Sequence, residues 1–210
     1  MNAGMLPARP AGMGTMTAKG TNIVGFLEEQ HEHIKSLFDQ AAQESGEQPK
    51  RLAAAILAEH AQRVVVTGAH GKTTTSAMLA AAAVELGLDP TFVVGGTVRQ
   101  LGTNARGGAG AVAIAEGDES DRSVLGLPAT IGVILNIDFD HLDHYASIDE
   151  VRDLLGAWAR TIPAAGLAIL GDGVEVAPAA SVARFGVGPG EGLRALDARS
   201  EEHTSELQSR

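Results

Sequence analysis

Val64-Val65-Val66-Thr67-Gly68-Ala69-His70-Gly71-Lys72-Thr73-Thr74-Thr75 decides how this chain reads. Three β-branched residues favour a short buried strand. They run into a loop with glycines at 68 and 71, and the residues from Thr73 to Leu86 then read as a helix closed by Gly87. Strand, glycine-rich loop and helix in that order make a phosphate cradle. Backbone N–H groups can converge on an oxyanion only where Cβ atoms stay away, which Gly68 and Gly71 provide. The free N–H groups of the first helical turn add positive potential. Lys72 can reach the β and γ phosphates, and the Thr73 hydroxyl can ligate Mg²⁺. The candidate nucleotide-binding residues are therefore Gly68, Ala69, His70, Gly71, Lys72, Thr73 and Thr74. The widest form of the pattern has glycine where this chain has Val66, so this is the shorter Gly-x-x-Gly-Lys-Thr variant. His70 has two readings, a contact to nucleotide or substrate and a solvent-facing loop histidine.

Outward from the loop, apolar runs alternate with helical stretches, the texture of a parallel sheet covered by helices. Strands are expected at Val64–Val66, Phe92–Val94, Ala111–Ala115, Ile131–Leu135 and Leu167–Leu170. Ser147 with Glu150 spells a capping box that opens a helix to about Thr161, and Gly166 ends that unit. The expected order is β-α-β-β-β-α-β. The fold class is α/β, a mostly parallel sheet with a phosphate-binding loop and flanking helices, preceded by a short helical segment.

Two further strands end in acidic sequence. Ala111–Ala115 is followed by Glu116-Gly117-Asp118-Glu119-Ser120-Asp121, and Ile131–Leu135 leads to Asn136 and then Asp140-His141-Leu142-Asp143-His144. The C-terminal ends of parallel strands share one edge of the sheet, the edge that carries the loop. Carboxylates and an imidazole would gather there, and such ligands suit Mg²⁺ bridging protein to phosphate. Taken singly, each acidic cluster also reads as a solvated loop or a helix cap. Asp140 and Asp143 could orient His141 from behind.

The composition narrows the classes. The chain has 210 residues, 44% of them hydrophobic and 20% charged, enough for one domain with a buried core. With 16 Lys and Arg against 26 Asp and Glu the net charge is −10, which disfavours nucleic acid and anionic membrane as partners. Cysteine is absent, so thiolate chemistry and disulfides are excluded. The longest apolar stretch, Ala77 to Val84, is too short to span a bilayer, and a cytoplasmic location is expected.

The Thr67–Thr75, Glu116–Asp121 and Asn136–Asp143 runs together resemble the Mur ligase family, in that order along the chain. Pro90–Gly96 and Gly102–Ala105 resemble the segments between the first two. The resemblance covers roughly residues 63–185, the first part of the family's central ATP-binding domain. It implies an ATP-dependent acid:amino-acid ligase of peptidoglycan-precursor synthesis, with an acyl phosphate intermediate, ATP and Mg²⁺ as cofactors, and UDP-N-acetylmuramate and L-alanine as substrates. Lys72, Glu116 and His141 would be catalytic. Thr73 and Glu116 would bind the magnesium at the phosphates, and Glu116 with His141 a second ion. Ser120 favours the L-alanine reading over a muramoyl-tripeptide recycling ligase, which usually carries an aromatic residue there. Ala69 departs from the threonine common at that position.

The flanks do not continue the resemblance. Residues 1–20 are small and Gly/Pro-punctuated and are expected to be disordered. Residues 21–61 read as a helical segment, one foreign to the ligase. Its part from Ile23 to Gln40 resembles the first helix of hemerythrin-like, cation-binding bundles, with His31 on the face of Leu27, Ile34 and Phe38, and His33 nearby. A metal-binding helical module is therefore the reading from another class, although a lone histidine on such a face is more often packing. Residues 62–198 are expected to be a partial central domain, and residues 199–210, RSEEHTSELQSR, resemble a translated sequencing adapter. Nothing upstream of Arg63 reads as a UDP-gripping domain, and no His precedes an Asn, so the chain is expected to be an incomplete fragment without turnover.

Overall fold

A computed structural model describes residues 47–138 and 145–195. The expectations for residues 1–46 and 196–210, including His31, His33 and the tail, lie outside the described residues, as do those for Asp140, His141, Asp143 and His144.

In chain order the elements are α1 (Glu47–Ala58), β1 (Gln62–Thr67), α2 (Lys72–Glu85), β2 (Thr91–Val98), β3 (Thr103–Arg106), β4 (Val112–Glu116), a 3₁₀ turn (Ser123–Gly126), β5 (Ile131–Ile134), α3 (Ile148–Ala159), β6 (Leu167–Gly171), β7 (Ser181–Val187) and β8 (Leu193–Ala195). The strands form one sheet in the order β3-β2-β4-β1-β5-β6-β7-β8, parallel throughout except for the β2–β3 pair. The α/β, mostly parallel architecture thus stands.

The strand list needs correcting: the sheet has three strands that the pattern does not reveal. β3 is a polar edge strand, and the turn before it is closed by Leu101 and Gly102 N–H groups on Val98 O. β7 and β8 are largely exposed and lie in Gly-rich sequence. Apolar patterning detects buried strands, and these are not buried. β2 also extends through Gly95 and Gly96 to Val98, where a glycine pair reads as a turn.

Alternation along the central strands splits the core in two. Val65, Ala113, Ala115 and Ile134 join Leu57 of α1 and Val151, Leu154, Leu155 and Trp158 of α3 on one face. On the other, Ala80 and Ala83 of α2 pack with Phe92, Val94, Val98 and Ile114. Central strands buried on both faces explain the continuous Val64–Val66 run. Leu57 of α1 sits in the core built around β1.

Helix ends follow local chemistry. α1 stops at Ala58 rather than Ala61 because His60 and Glu59 close a turn on Leu57 O and Ile56 O before β1. Buried His60 adds an Nδ1 contact to Ile56 O at 2.9 Å. α2 ends as a Schellman turn, with Leu88 N–H on Ala83 O at 3.0 Å and Gly87 at φ 72°. At α3 the Ser147 hydroxyl accepts the Glu150 N–H at 3.4 Å. The Glu150 carboxylate reaches Ala146 N–H at 3.1 Å, one residue before the partner that a strict capping box uses. That bond and Arg122, at 2.5 Å, hold the Glu150 carboxyl below its ordinary range. Trp158 is fully buried and donates Nε1–H to Leu127 O at 3.0 Å. Gly132 of β5 makes room for it, since a Cβ there would lie 2.4 Å from Ile162 and 3.0 Å from Trp158.

Candidate functional site

β4, β1 and β5 are neighbours, so the ends of these three parallel strands lie side by side. The end of β1 is tied to both neighbours: Gly117 N–H reaches Val66 O at 2.8 Å and Leu135 N–H reaches Thr67 O at 2.9 Å. Gly68 has φ +126°, and a Cβ on it would lie 2.8 Å from Asn136 O and 3.0 Å from Asn136 N. Glycine is required there twice, for the dihedral and for the close backbone approach. Gly71 takes the left-handed conformation, φ 83°, as the N-cap of α2, and no side chain caps the helix. Its first-turn donors therefore remain open to an oxyanion.

Asn136 fastens the loop to β5. Its Oδ1 accepts His70 N–H at 2.8 Å and its Nδ2 donates to His70 O at 3.0 Å, a reciprocal pair on one residue's backbone. The His70 ring is exposed, with Nε2 3.4 Å from Asp138 Oδ2. Asn136→Ala is expected to lose both bonds and to destabilise the chain by about 1–2 kcal/mol, read by urea denaturation.

Thr73 and Glu116 meet. The Thr73 hydroxyl donates to Glu116 Oε1 at 2.9 Å, and Gly95 N–H donates to Oε2 at 2.7 Å. A Cβ on Gly95 would be 2.8 Å from that carboxylate, and one on Gly96 3.1 Å from Thr73 Cγ2. The glycine pair in β2 thus lets the strand close over the Thr73–Glu116 couple. Hydroxyl and carboxylate oxygens side by side form a hard donor set that fits Mg²⁺. Among the described residues, no group of three or more His, Asp or Glu side chains could alone hold a metal. An ion here would take the rest of its shell from phosphate and water, as magnesium commonly does.

Lys72 turns back over the loop. Its Nζ donates to Gly68 O at 2.9 Å, to Ala69 O at 3.3 Å and to Glu119 Oε2 at 2.9 Å. Glu119 is buried at 1% exposure. Its carbonyl accepts Arg122 N–H at 3.0 Å and the Tyr145 hydroxyl. Burial pushes the Tyr145 phenol above its usual range; the Arg122 guanidinium, 5.5 Å from the ring, opposes this, and Glu119 reinforces it. The phenol stays a donor. Thr74 is exposed and Ala69 half-buried beside the cradle.

The structure therefore brings together Gly68, Ala69, Gly71, Lys72, Thr73 and Glu116, while His141 lies outside the described residues. Sequence reasoning assigned no part to Glu119, Asn136, Asp138 or Gly95. The signal for Glu119 was its place three residues after Glu116, but nothing in the acidic run says which carboxylate is buried. Among the described residues no helix is long and apolar enough to cross a membrane.

Comparison with known proteins gives this site a family. The Mur ligase middle domain matches residues 66–181. A UDP-N-acetylmuramate–L-alanine ligase from Geotalea uraniireducens (strain Rf4) is 49% identical over 107 residues, 51% of this chain and 23% of that protein. One from Geobacter sp. (strain M21) is 44% identical over 142 residues, 65% of this chain and 31% of the relative. Among solved structures, the UDP-N-acetylmuramate:L-alanyl-gamma-D-glutamyl-meso-diaminopimelate ligase from Neisseria meningitides superposes with TM-score 0.63 at 26% identity, covering 73% of this chain and 54% of that one. The matched region spans less than a third of the length of each of these two curated relatives. With a family match over more than half of its residues and a fold similar to that of a solved member, the chain belongs to the Mur ligase family.

Proposed function

We propose that this domain binds ATP with magnesium across the ends of β1, β4 and β5, and that the protein uses it to join L-alanine to UDP-N-acetylmuramate. The observation that carries the reading is the Thr73–Glu116 couple held at 2.9 Å beside a loop that only glycine can build at position 68. A substrate carboxylate oxygen would attack the γ phosphorus and ADP would leave. The amine would then attack the acyl carbon, expelling inorganic phosphate as the amide forms. Bound magnesium supplies charge neutralisation at the phosphates. Thr73 and Glu116 would hold it, with His141 completing a second position. Lys72 would offset charge on the transferring group, and the open N–H groups of α2 would orient the phosphates. The domain itself is assigned to residues 62–198.

Isothermal titration with Mg-ATP tests the nucleotide site. Lys72→Ala is expected to weaken binding about thirtyfold, the scale of one charge-assisted contact. Equal heats from both proteins would remove the site. A second reading, ligation of a free tripeptide to UDP-N-acetylmuramate as in a muramoyl-tripeptide recycling ligase, is supported by the match to the Neisseria enzyme. ADP release with L-alanine or with L-alanyl-γ-D-glutamyl-meso-diaminopimelate as the amine, measured where the domain works within a longer chain, separates the two.

A further inference from the structure

The lysine that should meet the phosphates is already fully engaged. An ammonium has three N–H donors and no acceptor. Those of Lys72 go to Gly68 O at 2.9 Å, Ala69 O at 3.3 Å and Glu119 Oε2 at 2.9 Å. Its side chain is 13% exposed and that of Glu119 1%. A phosphate oxygen that takes a Lys72 donor must therefore displace one of these acceptors. Two of them are carbonyls of the loop that surrounds the phosphates, so the exchange falls on the carboxylate.

Glu119 cannot simply leave. Its carbonyl is held by Arg122 N–H and by the Tyr145 hydroxyl. The turn that follows is fixed by Asp118 Oδ1, which accepts both the backbone N–H of Ser120 at 2.9 Å and its hydroxyl at 2.8 Å. The carboxylate thus stays near the cradle when the lysine turns to another anion. A buried charge of the same sign as the phosphates opposes their entry, and the opposition is strong because little water screens it.

We propose that Glu119 is the resting counter-ion of Lys72, a positioning residue that holds the ammonium over the loop and is exchanged for a phosphate when nucleotide binds. The inference rests on reading the loop as the nucleotide site. It assigns Glu119 a part distinct from that of Glu116, whose carboxylate faces Thr73 and Gly95 instead.

The test compares wild type, Lys72→Ala, Glu119→Gln and Glu119→Asp by Mg-ATP titration and by thermal unfolding with and without nucleotide. Glu119→Gln keeps the shape and an acceptor but removes the competing charge. It is expected to bind Mg-ATP about tenfold tighter than wild type. Its nucleotide-free form should melt at a lower temperature, because Lys72 has lost its counter-ion, and nucleotide should raise that temperature by more than in wild type. Glu119→Asp retains the charge and should return the affinity to within about threefold of wild type. If Glu119→Gln does not fold, Glu119→Ala carries the same expectation of tighter binding. A residue with only a structural role would lower the melting temperature and leave the affinity unchanged. That result, or weaker binding by Glu119→Gln, overturns the proposal while leaving the nucleotide site in place. Absence of heat from wild type removes both.

Discussion

Gly68→Ala is expected to destabilise the chain by about 4 kcal/mol and to abolish measurable Mg-ATP binding. One methyl group does this through two separate costs. The backbone at φ +126° lies where L side chains rarely go, a strain of about 1–3 kcal/mol. The added Cβ would also stand 2.8 Å from Asn136 O and 3.0 Å from Asn136 N. Both contacts are backbone, so neither can swing aside as a side chain would, and overpacking of this sort adds about 1–3 kcal/mol. If the loop relieves the clash by lifting away from β5, it breaks the Leu135–Thr67 bond and the Asn136–His70 pair that shape the cradle. Stability and binding should therefore fail together, read by urea denaturation and by titration with Mg-ATP. A Gly68→Ala protein of wild-type stability would show that the loop is not wedged against β5.

Trp158→Ala should cost as much in stability while sparing the site. The indole is fully buried among Ile162, Gly132 and the α3 face, and its Nε1–H satisfies Leu127 O. Truncation leaves a cavity where packing was dense, about 3–5 kcal/mol for a tryptophan. The freed carbonyl adds about 1 kcal/mol more. Leu127 leads into the N-terminal end of β5, opposite the edge that carries the loop. Mg-ATP affinity measured well below the unfolding transition should accordingly match wild type. A loss below about 1 kcal/mol would place Trp158 outside the load of the core, and a large affinity loss would mean the two edges of the sheet are coupled.

Much of this architecture was legible before any coordinates. Val64–Val66 is a buried central strand because an apolar run without alternation needs cover on both faces, and α2 on one side with α1 and α3 on the other supply it. The end of α2 and the start of α3 were read to within a residue or two from Gly87 and Ser147, whose chemistry acts on adjacent residues. β3, β7 and β8 were not legible. They pair through backbone groups, and the exposed side chains of β7 and β8 leave no apolar imprint. In the site, the meeting of Thr73 with Glu116 followed from placing both at parallel strand ends. The choice of Glu119 for Lys72, of Asn136 for His70 and of Gly95 for Glu116 did not follow.

The order of residues by itself determined that the chain holds a strand, a glycine-built loop and a helix, because those preferences come from φ, Cβ bulk and capping within a few positions of each residue. Only the tertiary structure decided which acid is buried against the lysine. That choice depends on β4 lying beside β1, which brings residues 47 positions apart into contact. Strand order is settled by the packing of whole faces, and no local rule along the chain encodes it.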